Sequence, residues 1–341
     1  MITKIIDSTK AAALGRMIDQ ASNIVIVCHT MPDGDAIGSS LAMWHLLRDL
    51  GKTATVIIPD MLQPQLRKLP GAKEAIDAAK YSDFAAKLIS EASLLVCLDF
   101  NKPYRAGNYL ASAITASTLP KVLIDHHLEP DDFCDVTISH PEQSSTCLLL
   151  YRVICALGLH DSINKTIATC LLAGMMTDTG NFAYNCDDPE AYIVVSDLVK
   201  LGASKAELYT LLFDTWSANR LKLNGYALYR KMEVFAEENA ALITLTRDEL
   251  NRFRYTKGDT EALVNRPLAI PEVKYSCFLR EEDGYVKVSM RSVGSYDVSA
   301  LCHDYFGGGG HLNAAGGEFK GTLTEAADIF RNLVKNKTIK K

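Results

Sequence analysis

Three short apolar runs, each closed by an acid or a histidine, constrain this chain more than any other feature. Asn23–His29 reads NIVIVCH, Leu94–Asp99 reads LLVCLD and Lys121–Asp125 reads KVLID. Runs of this length, rich in β-branched residues, predict buried strands rather than helices. A helical pattern from about Ala36 to Leu50 stops at Gly51, and Thr53–Ile58 reads as a further strand. Strands alternating with helical stretches predict an α/β fold with a mostly parallel sheet. In such open sheets the ligand crevice forms outside the carboxyl ends of the strands. His29, Asp99 and Asp125 should therefore converge on one edge, although they are far apart in the chain.

The length of 341 residues exceeds the ~250–300 at which single cores stop growing, so two domains are expected. With 48% hydrophobic and 23% charged residues, a disordered tail or fibrous repeat is excluded. Helical patterns dominate from Gln143 to Trp216. Asn219–Phe235 then reads as a connecting helix. After it Ala241–Thr246, Tyr275–Arg280 and Tyr285–Met290 alternate like strands, and Val298–Tyr305 reads as a helix before the glycine run Gly307–Gly310. The expected division is residues 1–215, a connector over 216–235, and a smaller α/β domain over 236–341.

Thirty-six Lys+Arg face 41 Asp+Glu, a net −5. That balance argues against coating duplex nucleic acid through a broad basic field. It leaves room for a small phosphorylated substrate held by a few local cations. The first twenty residues carry no apolar core or cleavage pattern of a secretory signal, and the longest apolar runs are too short for a membrane span. A cytoplasmic protein without membrane contact is expected. The nine cysteines form no C-x-x-C pair, and Cys28, Cys97, Cys155 and Cys170 lie in apolar segments. They read as small buried hydrophobes in a reducing compartment. The basic end Lys335–Lys341 reads as a solvated tail.

Four clusters carry metal-ligand chemistry. His29, Asp33 and Asp35 fall within seven residues, in a strand-to-helix loop shaped by Pro32 and Gly34. The competing reading is loop acids, with Asp35 as a helix N-cap. Asp125-His126-His127 follows a strand, where a surface turn is the competitor. Asp99 follows another, where a turn acid would suffice. Asp178 follows the apolar helix Ile167–Met176, and an acid there opposes the helix dipole unless something such as a cation compensates it. Asp33, Asp35, Asp99 and Asp178 together carry four charges that two divalent cations would neutralise. With His29 and His126 the donors are oxygen-rich, which suits Mn²⁺, with Mg²⁺ or Co²⁺ as substitutes, better than a thiolate-type zinc. Two such metals, ~3.5–4 Å apart, can clamp a phosphoryl oxygen for in-line attack. In the second half, Gly307, Gly308, Gly309 and Gly310 let the backbone approach a ligand and turn its N–H groups toward an anion. His311 and Arg291 add side-chain donors. His45, His140, His160 and His303 read as helix-face or surface residues, and Trp44 and Trp216 as packing residues.

These clusters, in this order, resemble the DHH phosphoesterase superfamily, named for the triplet present here as Asp125-His126-His127. Lys287–Ser292 and the stretch from Phe306 to Gly317 resemble its DHHA1 substrate domain, so the likeness covers nearly the whole chain. The resemblance implies a DHH domain with a mostly parallel sheet flanked by helices, and a smaller DHHA1 domain with a mixed sheet. One metal would be held by His29, Asp33 and Asp99, the other by Asp35, Asp99, His126 and Asp178, with Asp99 bridging. Asp35, Asp99, His126 and His127 would be catalytic, His127 also binding the scissile phosphate, with Asp125 behind the histidines orienting a ring. Arg105, Ser145 and Thr146 would contact substrate or support the site. Arg291, His311 and Gly307–Gly310 would hold the nucleotide.

Within the superfamily, the sequence SMRS with GGGGH downstream disfavours pyrophosphatases, the length leaves no room for the extra domain of DNA exonucleases, and no sensory or membrane segment is present. The stand-alone two-domain type remains. Its expected substrates are short single-stranded RNA, linear dinucleotides and 3′-phosphoadenosine-5′-phosphate (pAp), not duplex DNA. The alternatives are a phosphodiesterase for cyclic-di-AMP or pApA, and an inactive nucleotide-binding module. A homodimer is compatible with all three.

Overall fold

The structure is a computed structural model that describes residues 2–338. Residues 339–341 of the basic tail lie outside the described residues. The chain divides into two compact units, the first ending at Thr215 and the second beginning at Trp216.

In the first unit α1 (Ser8–Gln20) precedes β1 (Asn23–Val27), α2 (Gly34–Asp49), β2 (Thr53–Ile58), β3 (Ile76–Asp77) and α3 (Ser82–Ser90). There follow β4 (Leu94–Leu98), α4 (Gly107–Ala116), β5 (Lys121–Asp125) and β6 (Val136–Ser139). Four helices complete it: α5 (Thr146–Ala156), α6 (Lys165–Asp178), α7 (Pro189–Lys200) and α8 (Lys205–Phe213). The six strands run parallel in the order β3-β2-β1-β4-β5-β6. The short strands β3 and β6 are additions to the sequence pattern, too brief to show a period.

Both faces of this sheet are covered, which is why its central strands are continuously apolar. Ile24 and Ile26 of β1 face a core shared with α1, α2, α5 and α6, while Val25 and Val27 face the core under α3 and α4. The strand order reverses between β1 and β4, so a crevice opens beyond their carboxyl ends. His29 and Asp99 stand just beyond those two ends.

Helices α2 and α6 approach closely because glycines face the contact. A Cβ on Gly38 would lie 2.6 Å from the Cys170 carbonyl oxygen. A Cβ on Gly174 would collide with Cys147 Sγ and lie 2.7 Å from Asp35 Oδ1. Gly174→Val should therefore overpack the contact and cost about 3 kcal/mol, read as an earlier urea midpoint. A wild-type midpoint would mean that the two helices can part without loss.

In the second unit α9 (Ala218–Tyr226) continues through a π-helical turn at Ala227–Lys231 into β7 (Met232–Phe235). The helix expected to reach Phe235 thus stops short, because Met232–Phe235 pairs antiparallel with β8 (Ala240–Leu245). Then come α10 (Arg247–Arg252), β9 (Tyr275–Glu282), β10 (Tyr285–Ser292), α11 (Val298–Phe306), β11 (Gly308–His311), β12 (Ala314–Phe319) and α12 (Leu323–Lys335). The sheet order is β11-β12-β10-β9-β8-β7, parallel only between β8 and β9. Residues Leu301 and Phe306 of α11 and Phe330 of α12 pack against one face. The other face packs on Leu223, Leu250 and Leu263. All nine cysteines are free and seven are buried. Among the described residues no helix is long and apolar enough to cross a membrane.

Candidate metal centre

The loop after β1 places its acids in two different roles. Asp33 is extended (φ −88°, ψ −166°) and caps α2, its Oδ1 accepting from the backbone N–H groups of Asp35 (2.9 Å) and Ala36 (3.0 Å). The N-cap therefore falls on Asp33, not on Asp35, because Asp35 already lies in the first helical turn. Asp35 is fully buried, and its carboxylate accepts from the first N–H groups of α5: Thr146 N to Oδ2 at 2.6 Å and Cys147 N to Oδ1 at 2.9 Å. An anion at a helix N-terminus is favourably placed. Thr146 Oγ1 donates to Asp99 Oδ1 at 2.9 Å. Asp99 itself is buried and left-handed, with φ +65°.

Each histidine is fixed through Nδ1. His29 donates to the carbonyl of its neighbour Thr30 (2.7 Å), and His126 to that of Gln143 (3.1 Å). His127 Nδ1 meets Asp125 Oδ1 at 2.7 Å. Asp125 thus orients His127, whereas His126 is oriented by backbone. The Nε2 of His29 then faces Asp99 Oδ2 (3.4 Å) and Asp33 Oδ1 (3.9 Å). The Nε2 of His126 faces Asp178 Oδ2 (3.3 Å), Asp99 Oδ1 (3.6 Å) and Asp35 Oδ2 (4.0 Å). Asp178 is the last residue of α6.

Three groups result: His29, Asp33 and Asp99; Asp35, His126 and Asp178; and Asp99, His126 and His127. Within each, the donor atoms lie within 4.8 Å of one another. Asp99 and His126 each belong to two groups. Two donors bonded to one ion at ~2.0–2.2 Å stand roughly 3–4 Å apart, which is the spacing seen here. The anchored Nδ1 atoms of His29 and His126 leave their Nε2 lone pairs for a ligand, as metal-binding histidines require. The set fits divalent cations.

The electrostatics point the same way. Burial, then the charges of Asp99, Asp178 and Asp33, push the Asp35 carboxyl well above its ordinary range. Burial, with Asp99 and Asp33, raises Asp178 to about 7 against the pull of His126. Burial also opposes ionisation of Asp99, but the hydrogen bond and charge of His29, helped by His126 and His127, bring it down to about 2. For His29 burial works against the proton, and Asp99 and Asp33 outweigh it, giving about 9. Protons thus occupy a field of clustered negative charge that a divalent cation would relieve. Several non-glycine residues at this edge, Met31, Asp99, Glu129, Asn181 and Phe182, are left-handed. Such conformations persist where surrounding structure enforces them.

The first unit brings together His29, Asp33, Asp35, Asp99, His126, His127 and Asp178, with Asp125, Ser145 and Thr146 behind them. Ser145 caps α5. Arg105 is half-buried in the loop after Asp99, its carbonyl accepting from Thr30 N at 2.7 Å. Sequence reasoning missed the carbonyls of Thr30 and Gln143 and the amide of Cys147. Backbone groups carry no residue signature, so no sequence signal could have marked them. His45, His140, His160 and His303 bond elsewhere, to the Pro70 carbonyl, Glu142, Asp197 and Asp304.

In the second unit the glycine run is not a loop. Gly307 (φ +61°) caps α11, and Gly308–His311 form the edge strand β11 on β12. A Cβ on Gly308 would collide with the Gly316 carbonyl, and one on Gly310 (φ +152°) would lie 2.7 Å from Ala315 Cα. The glycines allow the two backbones to close up, whereas Gly309 has open space around its Cβ position. Arg291 ends the ladder of β10 with β12, opposite Ala314, and its Nη1 donates to the Met290 carbonyl (2.9 Å). Burial lowers its pKa. His311 is exposed.

Comparison with known proteins agrees with these two units. Residues 23–175 match the DHH family N-terminal domain, and residues 239–338 match the DHHA1 domain. A bifunctional oligoribonuclease and PAP phosphatase, NrnA, of Thermus thermophilus is 32% identical over 304 residues, covering 87% of this chain and 84% of that protein. The cyclic-di-AMP phosphodiesterase PdeA of Listeria monocytogenes is 26% identical over 92% of this chain, which spans 47% of that protein. A crystal structure of an exopolyphosphatase-related protein from Bacteroides fragilis superposes with a TM-score of 0.95 at 45% identity, covering 98% of each chain.

Proposed function

The chain belongs to the DHH phosphoesterase family and carries its DHHA1 domain, and we propose that within this family it hydrolyses short oligoribonucleotides, linear dinucleotides and pAp. It is a hydrolase of phosphate esters. One observation carries the two-cation reading: Asp99 is shared between two donor groups, so a single buried carboxylate could serve two cations. The NrnA relatives, matched over most of their length, support the substrate class.

In this proposal the pair of cations is Mn²⁺, with Mg²⁺ or Co²⁺ able to replace it, because the donors are carboxylate and imidazole. His29, Asp33 and Asp99 hold one, and Asp35, Asp99, His126 and Asp178 the other. When bound they supply Lewis acidity toward a phosphoryl oxygen and lower the pKa of water. The remaining work belongs to the chain. Asp125 holds the His127 ring by Nδ1, fixing the side chain that binds the scissile phosphate. Thr146 Oγ1 and the α5 amides keep Asp99 and Asp35 from rotating. Arg291, His311, Arg105 and the Gly307–Gly310 backbone bind the nucleotide's phosphates, so residues 1–215 act as the metal-binding domain and 236–341 as the substrate-binding domain. The setting is cytoplasmic and the substrates are small.

Cyclic dinucleotides are the second reading, favoured by alignments to cyclic-di-AMP phosphodiesterases over 92% and 94% of this chain. Initial rates in Mn²⁺ with pAp, pApA, pGpG, short RNA, cyclic-di-AMP and pyrophosphate distinguish them. The linear dinucleotides and pAp should exceed cyclic-di-AMP and pyrophosphate by roughly tenfold or more in kcat/KM. Fastest turnover of cyclic-di-AMP would replace the first reading with the second.

A further inference from the structure

Five large apolar side chains of the first unit are more than three-fifths exposed: Met31 (67%), Met61 (68%), Tyr104 (66%), Leu128 (63%) and Tyr184 (63%). They belong to the connections that follow β1, β2, β4, β5 and α6; all of these elements but β2 deliver metal-site residues to the sheet edge. Met31 lies between His29 and Asp33, and Leu128 is adjacent to His127. Tyr104 adjoins Arg105, whose carbonyl accepts from Thr30 N at 2.7 Å, and Asn101 Nδ2 donates to the Leu128 carbonyl at 2.6 Å. Met61 follows Asp60, whose Oδ2 accepts from Met31 N at 2.7 Å. The ring of Tyr184 lies against Gly180, two residues past Asp178. Hydrogen bonds, one between backbones and two made by side chains, thus tie four of these loops to one another, and the fifth packs beside its own ligand.

Single exposed apolar residues are ordinary on any surface. Here the most exposed ones of the unit gather around its most polar site, on loops whose Met31 is held left-handed (φ +50°). Folding does not need these side chains, since none is buried. A phosphate ester drawn to the carboxylate and histidine cluster carries its nucleoside within reach of that rim. Tyrosine rings, thioethers and a leucine offer flat or deformable apolar contact and no hydrogen-bond code. Such surfaces accept any base, because every base has a π-face.

We propose that this rim is a base-stacking platform, so that the first unit takes hold of a nucleobase of its substrate without reading which base it is. The proposal rests on the phosphoesterase reading above and adds a base requirement to it. Stacking on such a surface is worth a tenfold or so change in affinity per base.

The test compares a phosphorothioate-linked pApA with its counterparts carrying one abasic ribose, at either position, in equilibrium binding to wild type and to the variant Tyr104→Ala/Leu128→Ala. Wild type should prefer the full dinucleotide by roughly tenfold over one of the abasic forms, and the variant should lose most of that preference. Wild-type binding of pApA, pGpG and pUpU should agree within a few-fold. Melting of the variant should match wild type, since both side chains are exposed. An unchanged preference in the variant, or no preference in wild type, overturns the platform. Absent binding of every dinucleotide overturns it too, together with the substrate reading. Base-dependent binding in a protein that hydrolyses none of the natural dinucleotides sinks the functional reading and leaves the platform standing.

Discussion

Asp99→Asn is expected to abolish measurable hydrolysis while the protein remains folded. Losing a partner that merely orients a metal ligand costs about 10–100-fold. Asp99 is shared by two donor groups, so its loss should exceed that range. Asparagine is the informative replacement. It tolerates the left-handed backbone (φ +65°) that would strain alanine, and its side-chain oxygen can still accept from Thr146 Oγ1. The Asp99 charge raises the pKa of Asp35 and Asp178 but also pairs with buried His29, so neutralising it relieves one interaction of the metal-free fold and removes another. Melting in EDTA should remain a single cooperative transition, and the shift produced by Mn²⁺ should shrink sharply. Full turnover in the variant would remove Asp99 from the centre of the mechanism.

Mn²⁺ should stabilise the protein more as pH rises. In the metal-free fold Asp35 and Asp178 have raised pKa values, Asp178 reaching about 7 from an ordinary 3.8. Between those limits the folded state keeps protons that the unfolded chain has released. Stability rises with pH only where the unfolded state binds more protons, so here it falls. His29 adds to the trend, since its raised pKa contributes stability fully below 6.5 that is lost as pH passes about 9. Asp99 has the opposite sign, but its contribution is in place above 3.8 and disappears only toward pH 2. The metal-free protein should therefore weaken steadily from about pH 5 to pH 9. A cation competes with these same protons. At a hundred times its Kd it adds about 2.7 kcal/mol, which at 2–4 °C per kcal/mol is roughly 5–10 °C in Tm. That increment should be present at pH 8 and largely gone at pH 5. An increment independent of pH would show that the carboxylates do not hold the metal.

Much of the site was legible because ligand-type residues closed apolar runs, and runs of that kind end at one edge of a parallel sheet. His29 and Asp99 stand out in this way even without a neighbour in the sequence. The loop acids were less legible. Both Asp33 and Asp35 could cap a helix by composition, and only the turn's extended residue, Asp33, does so. Met232–Phe235 continues a helical pattern locally, yet it pairs with β8, since a strand's partner lies outside the window that periodicity reads. The glycine run reads as a segment whose backbone approaches a ligand, and only the placement of β12 beside it shows the close strand-to-strand approach.

The sequence by itself determined which chemistry is available: carboxylates and imidazoles in a parallel α/β unit, then glycines, an arginine and a histidine in a second unit. Local pattern suffices for that, because strand burial and turn chemistry act over a few residues. Only the tertiary structure decided which nitrogen of each histidine is free, which carboxylate is shared, and what holds each in place. Those outcomes depend on contacts between residues 47 and 111 positions apart, as between Asp99 and Thr146 or Asp35 and the α5 amide. Such distances are set by strand order and by the glycine-mediated approach of α2 to α6, which no local stretch of chain encodes alone.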